Sequence, residues 1–423
     1  LVPGLVVTFE SSPQLEAVAR LKRRYAQVES LGPLLHVFTP EREPEAAVAG
    51  IRQALENLPV EHIHTEEPEL EDVVVALLLK EREEQPGESA GSDQSARPAG
   101  RQQLDGLAVE AKELIRDFGS FRAVDRVSFD MKQGEIFGLL GANGAGKTTV
   151  IKMLTGIVPP TAGEGRVAGA DMRTAGGAIK ERIGYMSQAF SLYLNLTVIE
   201  NIRLFAGIYG LARREAQQRM EWIVEMAGLT GYEDDRTGRL PMGVRQRLAL
   251  GCALVHSPRV LFLDEPTSGV DPIGRRRFWE LLSRLAREEG VAILITTHYL
   301  SEAEHCDRLA LMYAGRIVAE GTPAHLKKQV ERDIGQLVEM VVDKPGIALA
   351  HVVAAGFAGA ALFGTKIHVL SRDPGRDEER LRDVLARSGI AVEAVRTRML
   401  SLEDVFVSRV MALEQAAQKE VSA

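Results

Sequence analysis

The chain has 423 residues, of which 26% are charged and 45% hydrophobic, and its formal net charge is −8. This length exceeds what one hydrophobic core usually supports, so the sequence predicts two or three folded domains. The acidic balance argues against a broad nucleic-acid-binding face, so no nucleic-acid partner is expected.

Two copies of one short pattern stand near the ends of the chain. Near the N-terminus, LLHVF precedes a helical stretch and PELEDVVVALL; near the C-terminus, KIHVL precedes a helical stretch and LSLEDVFVSRV. The spacing is 36 residues both from His36 to Asp72 and from His368 to Asp404. Equal spacing predicts a duplication, each copy being a small α+β unit of strand, helix, strand and a final helix opened by Glu-Asp.

Between the copies, the composition changes twice. Residues 81–105 carry EREEQPGESAGSDQSARPAGRQQ, which has no large apolar residue and is predicted to be a flexible linker. Residues 106–330 alternate short apolar runs with helical patterns such as Ile273–Arg287, which predicts a mostly parallel α/β domain. Residues 1–80 and 331–423 are then the two small α+β units.

A glycine-rich loop follows the apolar run EIFGLL and leads into the helical pattern Thr148–Leu154. It fits GxxxxGK[ST] between a strand and a helix, the context in which this pattern binds nucleotide phosphates. Glycines let backbone N–H groups close around the β-phosphate, Lys147 supplies positive charge, and the Thr148 hydroxyl can ligate Mg²⁺. The predicted nucleotide-binding residues are Gly141, Asn143, Gly144, Ala145, Gly146, Lys147, Thr148 and Thr149.

The apolar run VLFLDEP, Val260–Pro266, ends in two adjacent acids. Its strand would deliver Asp264 to a position where it holds Mg²⁺ through water, and Glu265 to the γ-phosphate, where it polarises an attacking water. Two acids ending a buried strand would be unfavourable without such a task. Together with the glycine loop, they predict a P-loop nucleoside triphosphatase.

The sequence shows no membrane-crossing run and no secretory signal. No apolar run reaches the roughly 20 residues that a transmembrane helix needs, and Ile347–Gly364, the nearest candidate, is predicted to be a strand followed by a helix. The start of the chain at Leu1 predicts a fragment of a longer protein. Cys252 and Cys306 lack metal-ligand spacing and are predicted to be buried, reduced thiols, as in a cytosolic compartment.

With these motifs in place, residues 106–326 resemble the ATP-binding cassette family over their whole length. Phe118 stands 23 residues before Gly141, where the family stacks an aromatic on adenine, and Phe121 is the alternative. Gln188, in YMSQ, matches the glutamine loop, which links Mg²⁺ and the water to a transmembrane partner.

Two later segments extend the resemblance. The stretch Ser268–Asp271 matches the loop that crosses to a second cassette, which makes Asp271 a candidate nucleotide-site residue. His298, in ITTHYLSEAEHCDR, lies 33 residues past Glu265 and matches the switch histidine that would hold the γ-phosphate and the water.

One departure concerns the signature loop, which reads LSGGQ or LSGGMRQ in the family and LPMGVRQ here. Pro241 replaces the serine that meets the opposite cassette's γ-phosphate, and proline has neither donor. Met242 replaces the first glycine, whereas Gly243 and the predicted helix Arg247–Val255 match the family. Gly243 therefore stays a candidate nucleotide contact, and the resemblance implies an unequal pair of sites.

The resemblance also implies what the two repeated units are. Many exporter cassettes carry a C-terminal domain with a LEDVF-like helix, so residues 331–423 resemble such a tail and residues 1–80 the tail of a preceding cassette. The signature and LDEPTSGVDP resemble the second cassette of fused, drug-efflux-type subunits. The implied cofactors are ATP and Mg²⁺, and the implied partners are an integral membrane permease and a second cassette, fused or identical, at the cytoplasmic face of the inner membrane.

Two surface segments and one alternative function remain open. Tyr193, Leu194 and Leu196 suit either a permease's coupling helix or packing within a helical subdomain. The triplet Arg275–Arg277 is expected to be a solvated helix face. The alternative function is a soluble, translation-associated cassette ATPase acting on ribosomes, but such proteins usually carry a long basic helical arm, which the acidic, proline-containing linker does not match.

Overall fold

The computed structural model describes residues 4–25, 27–31, 34–66, 68, 106–174, 176–188, 192–357, 359–398 and 400–421. The strands of these residues form four sheets. The linker, 81–105, and the N-terminal PELEDVVVALL segment beyond Pro68 lie outside the described residues. Among those described, no helix is both long and apolar enough to cross a bilayer.

An N-terminal unit combines a four-stranded antiparallel sheet with two helices. Its elements are β1 Leu5–Glu10, α1 Gln14–Leu21, β2 Val28–Leu31, β3 Leu34–Thr39, α2 Pro44–Leu55 and β4 Glu61–Glu66. The sheet order β2-β3-β1-β4 is the split βαβ arrangement of ferredoxin-like folds. Alternating residues of β1 and β3, such as Phe9 and Val37, pack against Ile51 of α2 and form its core.

The central region holds two sheets and a helical subdomain. Its elements are β5 Leu107–Phe118, β6 Phe121–Lys132, β7 Ile136–Leu140, α3 Lys147–Leu154, β8 Ala162–Val167, β9 Ala170–Asp171, α4 Gly176–Lys180, β10 Ile183–Met186, α5 Val198–Ile208, α6 Arg213–Met226, α7 Met242–Leu254, β11 Val260–Asp264, α8 Pro272–Arg287, β12 Ala292–Thr297, β13 Arg308–Tyr313, β14 Arg316–Gly321 and α9 Pro323–Ile334, with short 3₁₀ turns at Thr237–Arg239 and Leu300–His305.

The main sheet has the order β10-β11-β12-β7-β13-β14 and is parallel except for the edge strand β14. Every residue of β7, β11 and β12 is buried, because a parallel sheet has both faces covered. The second sheet, β6-β5-β8-β9, is antiparallel. The predicted mostly parallel α/β core is confirmed. Helices α5, α6 and α7 pack around Ile202, Ile223 and Leu248 and form the helical subdomain.

The C-terminal unit repeats the topology of the first. Its elements are β15 Gln336–Val342, α10 Pro345–Ala354, β16 Ala361–Phe363, β17 Lys366–Ser371, α11 Pro374–Arg387, β18 Val392–Arg398 and α12 Leu402–Val421. The sheet order is β16-β17-β15-β18, strand for strand that of the N-terminal unit. In this copy the two residues that stand 36 positions apart are in contact, because His368 Nδ1 lies 2.9 Å from Asp404 Oδ1.

Two predictions about these elements need correction, and a third is confirmed. Each copy contains two strands and a helix upstream of its histidine strand, so the predicted strand, helix, strand and helix was incomplete. Within Ile347–Gly364 the helix comes first and the strand second, because Pro345 occupies the first turn of the helix. Cys252 and Cys306 are buried as predicted, and burial raises the pKa of both thiols.

The predicted solvated face at Arg275–Arg277 is wrong for two of the three arginines. The Arg276 side chain is only 14% exposed and its Nε lies 2.9 Å from Glu29 Oε1 of the N-terminal unit. The Arg275 side chain is 19% exposed and its Nε lies 3.3 Å from Glu302 Oε1. Helix α8 therefore contacts β2 and, through Arg275 and Trp279, the Leu300–His305 turn, and the sequence alone predicted neither contact.

His36 of β3 provides a pH test of the N-terminal unit. Burial lowers the pKa of His36 to about 4; Glu66 opposes the shift, and the positive charges of His305, His64 and Lys327 add to it. The neutral ring is therefore favoured in the fold, so its stabilisation is complete above the ordinary pKa of 6.5 and is lost as the pH falls towards 4.

We expect acidification from pH 7 to pH 4.5 to lower the free energy of opening of this unit by up to about 3 kcal/mol through His36. Replacement His36→Gln should remove that part of the pH dependence, because glutamine does not titrate. Hydrogen exchange of peptides from residues 34–55 measures the difference, with the exposed His325→Gln as the matched control. Equal acid sensitivity in the wild type and His36→Gln would contradict the prediction.

Candidate nucleotide-binding and hydrolysis site

The glycine loop joins the end of β7 to the start of α3, and its backbone leaves no room for larger residues at two positions. Gly141 has φ 152° and Gly146 has φ 105°. A Cβ on Gly141 would lie 2.2 Å from the Met312 oxygen, and one on Gly146 would lie 2.5 Å from the Ala123 oxygen. Close packing beneath the loop therefore fixes its path, and α3 begins at Lys147 with its free N–H groups directed into the loop.

Lys147 lies inside this loop, where its side chain is largely buried. Its Nζ donates to the carbonyl oxygens of Gly141 at 2.6 Å and Ala142 at 3.1 Å. Burial lowers the pKa of Lys147, while the carboxylates of Glu265 and Asp264 oppose that shift. The ammonium thus lies inside the loop and is attracted by the two acids predicted from VLFLDEP.

Asp264 ends β11 and is buried, with 2% of its surface exposed. Its Oδ1 accepts hydrogen bonds from Thr148 Oγ1 at 3.1 Å and from Thr296 Oγ1 at 2.6 Å. Thr296 stands directly opposite Asp264 in the parallel β11–β12 register. A hydroxyl and a carboxylate within hydrogen-bond distance form the hard oxygen set that Mg²⁺ prefers, so these residues fit the predicted metal site.

Glu265, Gln188 and His298 meet although they lie far apart in the chain. Glu265 Oε2 accepts a hydrogen bond from Gln188 Nε2 at 2.9 Å and lies 3.3 Å from His298 Nδ1. The Glu265 backbone has φ 48°, an unfavourable value for a non-glycine residue, and its N–H donates to the Thr296 carbonyl at 3.1 Å. The three predicted catalytic residues therefore meet at one carboxylate oxygen, Oε2 of Glu265.

Several residues around this cluster were not predicted from the sequence. Thr296 interrupts an apolar strand at the position opposite Asp264, and comparing the ends of the two predicted strands would have found it. Thr267 Oγ1 donates to Glu302 Oε1 at 2.6 Å, and both residues are buried. The Tyr299 ring lies 4.1 Å from the His298 ring. The contact between Thr267 and Glu302 joins separate segments and has no local sequence signal, whereas Tyr299 directly follows His298 in the chain.

The two aromatic candidates stand together at the end of the β5–β6 hairpin. Phe118 and Phe121 are direct cross-strand partners and are 47% and 63% exposed. The Arg116 guanidinium lies 4.5 Å from the Phe118 ring centroid. Both rings can receive a planar base, and the assignment of the adenine contact to Phe118 stays a prediction.

The signature loop and the crossing loop pack against each other. Helix α7 begins at Met242, five residues before the predicted start at Arg247, since proline is well suited to the entry of a helix. Gly243 is buried, and a Cβ there would lie 3.4 Å from the Gly274 Cα. Asp271 caps α8 by accepting a hydrogen bond from the Gly274 N–H at 2.9 Å. The nucleotide roles of Gly243 and Asp271 stay predictions.

Known proteins resemble this chain in both sequence and fold. A family model described as "ABC transporter" matches residues 124–268. A probable multidrug ABC transporter ATP-binding protein of Escherichia coli K12 is 44% identical over 293 residues, 68% of this chain and 49% of that protein. The chain thus spans about half the length of this relative.

Other relatives are covered almost completely. A Nod factor export ATP-binding protein of Burkholderia thailandensis is 36% identical over 300 residues, 71% of this chain and 95% of that protein. A solved ATP-binding cassette of an ABC transporter has 25% identity and a TM-score of 0.50, covering 54% of this chain and 96% of its own. The phosphate loop, the paired acids and these similarities agree, and the chain belongs to the ATP-binding proteins of the ABC transporter family.

Proposed function

We propose that the chain binds ATP with Mg²⁺, hydrolyses it, and thereby powers export through a separate integral membrane partner. The observation that carries this proposal is the convergence on Glu265, whose Oε2 accepts from Gln188 and lies beside His298. A carboxylate held in this way can accept a proton from water. It adjoins the Thr148–Asp264 pair and Lys147, which suit a polyphosphate.

In the proposed reaction, water attacks the γ-phosphate in line with the bond to the leaving ADP. Lys147 and the loop amides bind the phosphates, and the positive end of α3 favours their charge. Glu265 accepts the water's proton, Gln188 orients the water, and His298 holds the γ-phosphate and the water in place. Thr148, Asp264 and Gln188 are the residues that would hold Mg²⁺, which would neutralise negative charge on the phosphates when bound.

The direction of transport and the membrane partner are inferred from relatives and from one surface. The relatives are named for multidrug transport, Nod factor export and linearmycin resistance, which favours efflux over the ribosome-associated alternative. Tyr193 and Leu194 are 51% and 49% exposed, and Ile208 of α5 is 63% exposed. These exposed apolar side chains follow Gln188 in the chain and suit a permease's coupling helix at the cytoplasmic face of the membrane; residues 189–191 lie outside the described residues.

The domain plan supports a pair of cassettes with unequal sites. We propose residues 106–330 as the cassette, 331–423 as its tail, 81–105 as a linker and 1–80 as the tail of a preceding cassette. Each signature loop would close over the other cassette's phosphates. Since Pro241 offers no hydrogen-bond donor and Met242 is a bulky replacement for glycine, the site that this signature completes is expected to be the weaker one.

Replacement Glu265→Gln is expected to preserve ATP binding and to abolish turnover, because glutamine keeps the side chain's length but cannot accept a proton. A loss of at least about 100-fold is typical of removing a general base. Equilibrium binding of ATP and phosphate release under single-turnover conditions measure the two effects, with the exposed Glu288→Gln as the control. Undiminished hydrolysis in Glu265→Gln would remove Glu265 from its proposed role.

The double change Pro241→Ser with Met242→Gly is expected to strengthen the weaker site in the assembled complex. A hydrogen bond to a charged group contributes about 1.5–3 kcal/mol, so nucleotide affinity or turnover at that site should rise on the order of tenfold. Nucleotide binding stoichiometry and steady-state turnover of the complex measure it. If neither changed relative to the wild-type complex, the proposed inequality of the two sites would be wrong.

A further inference from the structure

Helix α8 carries a docking face for the N-terminal unit. Arg276 and Glu280 are four residues apart and thus lie on one side of the helix. Arg276 Nε lies 2.9 Å from Glu29 Oε1, and Lys22 Nζ lies 3.4 Å from Glu280 Oε1. The Arg276 and Glu29 side chains are 14% and 24% exposed, so this pair is shielded from solvent and is the stronger of the two.

The same helix leads directly to the hydrolysis site. Its cap is Asp271, and Arg275, the neighbour of Arg276, contacts a different segment. Arg275 Nε lies 3.3 Å from Glu302 Oε1, and its guanidinium carbon lies 5.1 Å from the Tyr299 ring centroid. Tyr299 packs on the ring of His298. The first turn of α8 is thus connected to the segment that carries the switch histidine.

Glu302 extends this connection to the catalytic glutamate. It is 2% exposed, and its Oε1 accepts a hydrogen bond from Thr267 Oγ1 at 2.6 Å. Thr267 lies two residues beyond Glu265. A buried carboxylate held by a hydroxyl and a guanidinium has little freedom to move. Displacement of Arg275 would therefore disturb the positions of both His298 and Glu265.

The C-terminal copy of the unit cannot make the same ion pairs. In the N-terminal sheet Glu29 stands opposite His36, and in the C-terminal sheet Ala361 stands opposite His368. Lys22 follows α1, whereas Ala355 follows α10. Alanine replaces a charged residue at both equivalent positions, so the charged face of α8 is complementary to the N-terminal unit and not to its repeat.

We infer that the N-terminal unit is a latch that seats on α8 and holds Arg275 against Glu302 and Tyr299. Arg275 and Glu302 are then positioning residues, which keep His298 and Glu265 aligned without contacting the nucleotide. If the unit is the tail of a preceding cassette, as proposed, the latch joins the two cassettes on one side only. The catalytic consequence rests on the proposed function, whereas the docking of the latch does not.

Charge exchange across the latch tests the inference in the full chain. We expect Glu29→Arg and Arg276→Glu each to lower kcat for ATP about fivefold or more, the lower range of coupling between sites, with little change in KM. Both should accelerate hydrogen exchange in peptides covering residues 299–305. The double variant should restore kcat and protection, because it rebuilds the ion pair with reversed charges. Glu45→Arg, an exposed charge reversal on α2, is the matched control.

The outcomes test the docking of the N-terminal unit on α8 separately from the proposed function. Unchanged exchange at residues 299–305 in both single variants, or failure of the double variant to restore protection, would overturn the latch. Restored protection with no recovery of kcat would overturn its catalytic role. A wild-type chain without ATP turnover would contradict the proposed function, while the exchange measurements would still decide whether the unit docks. Exchange in residues 34–55 identifies a variant whose N-terminal unit has failed to fold.

Discussion

One buried carboxylate, that of Asp264, holds together the elements on which nucleotide chemistry depends. It accepts hydrogen bonds from Thr148 at the start of α3 and from Thr296 near the end of β12. An unpartnered buried charge is strongly unfavourable, so these hydroxyls fix the strand end, the phosphate-loop helix and the neighbouring strand relative to one another. The next residue, Glu265, adopts its positive φ within this frame and meets Gln188 and His298. The groups proposed to bind the nucleotide and those proposed to hydrolyse it are therefore aligned by the same contact.

The parts of the site with local signals could be predicted from the sequence. The phosphate loop combines a buried strand, closely spaced glycines and the start of a helix, and the paired acids end an apolar run. Each motif can therefore be recognised from its neighbouring residues in the sequence. Contacts such as Arg275 with Glu302 and Arg276 with Glu29 could not be predicted, because a run of arginines does not reveal its tertiary partners. Only part of the ferredoxin-like topology could be predicted from the sequence, because the strands before His36 and His368 share no motif.

The two copies of the small unit have diverged in how they attach to the cassette. In the C-terminal copy, His368 lies between Glu339, 3.1 Å from Nε2, and Asp404, 2.9 Å from Nδ1, which ties its sheet to α12. In the N-terminal copy, Thr8 stands opposite His36 where Glu339 stands opposite His368, and attachment uses Glu29 of β2 and Lys22, which follows α1. Helix α12 and β2 both contact the Leu300–His305 turn. The segment that follows His298 is thus confined by both units.

The proposed export motor would work as a pair of cassettes and act on a membrane protein. The intact mass of the subunit purified from its native membrane, together with the identity of its co-purifying partners, tests that requirement most directly. The predicted result is a polypeptide longer by about the length of residues 106–330, bound to a protein with several transmembrane helices. A subunit that begins at Leu1 and pairs with itself would place Pro241 at both sites and contradict the unequal pair. A subunit without a membrane partner would contradict the export motor.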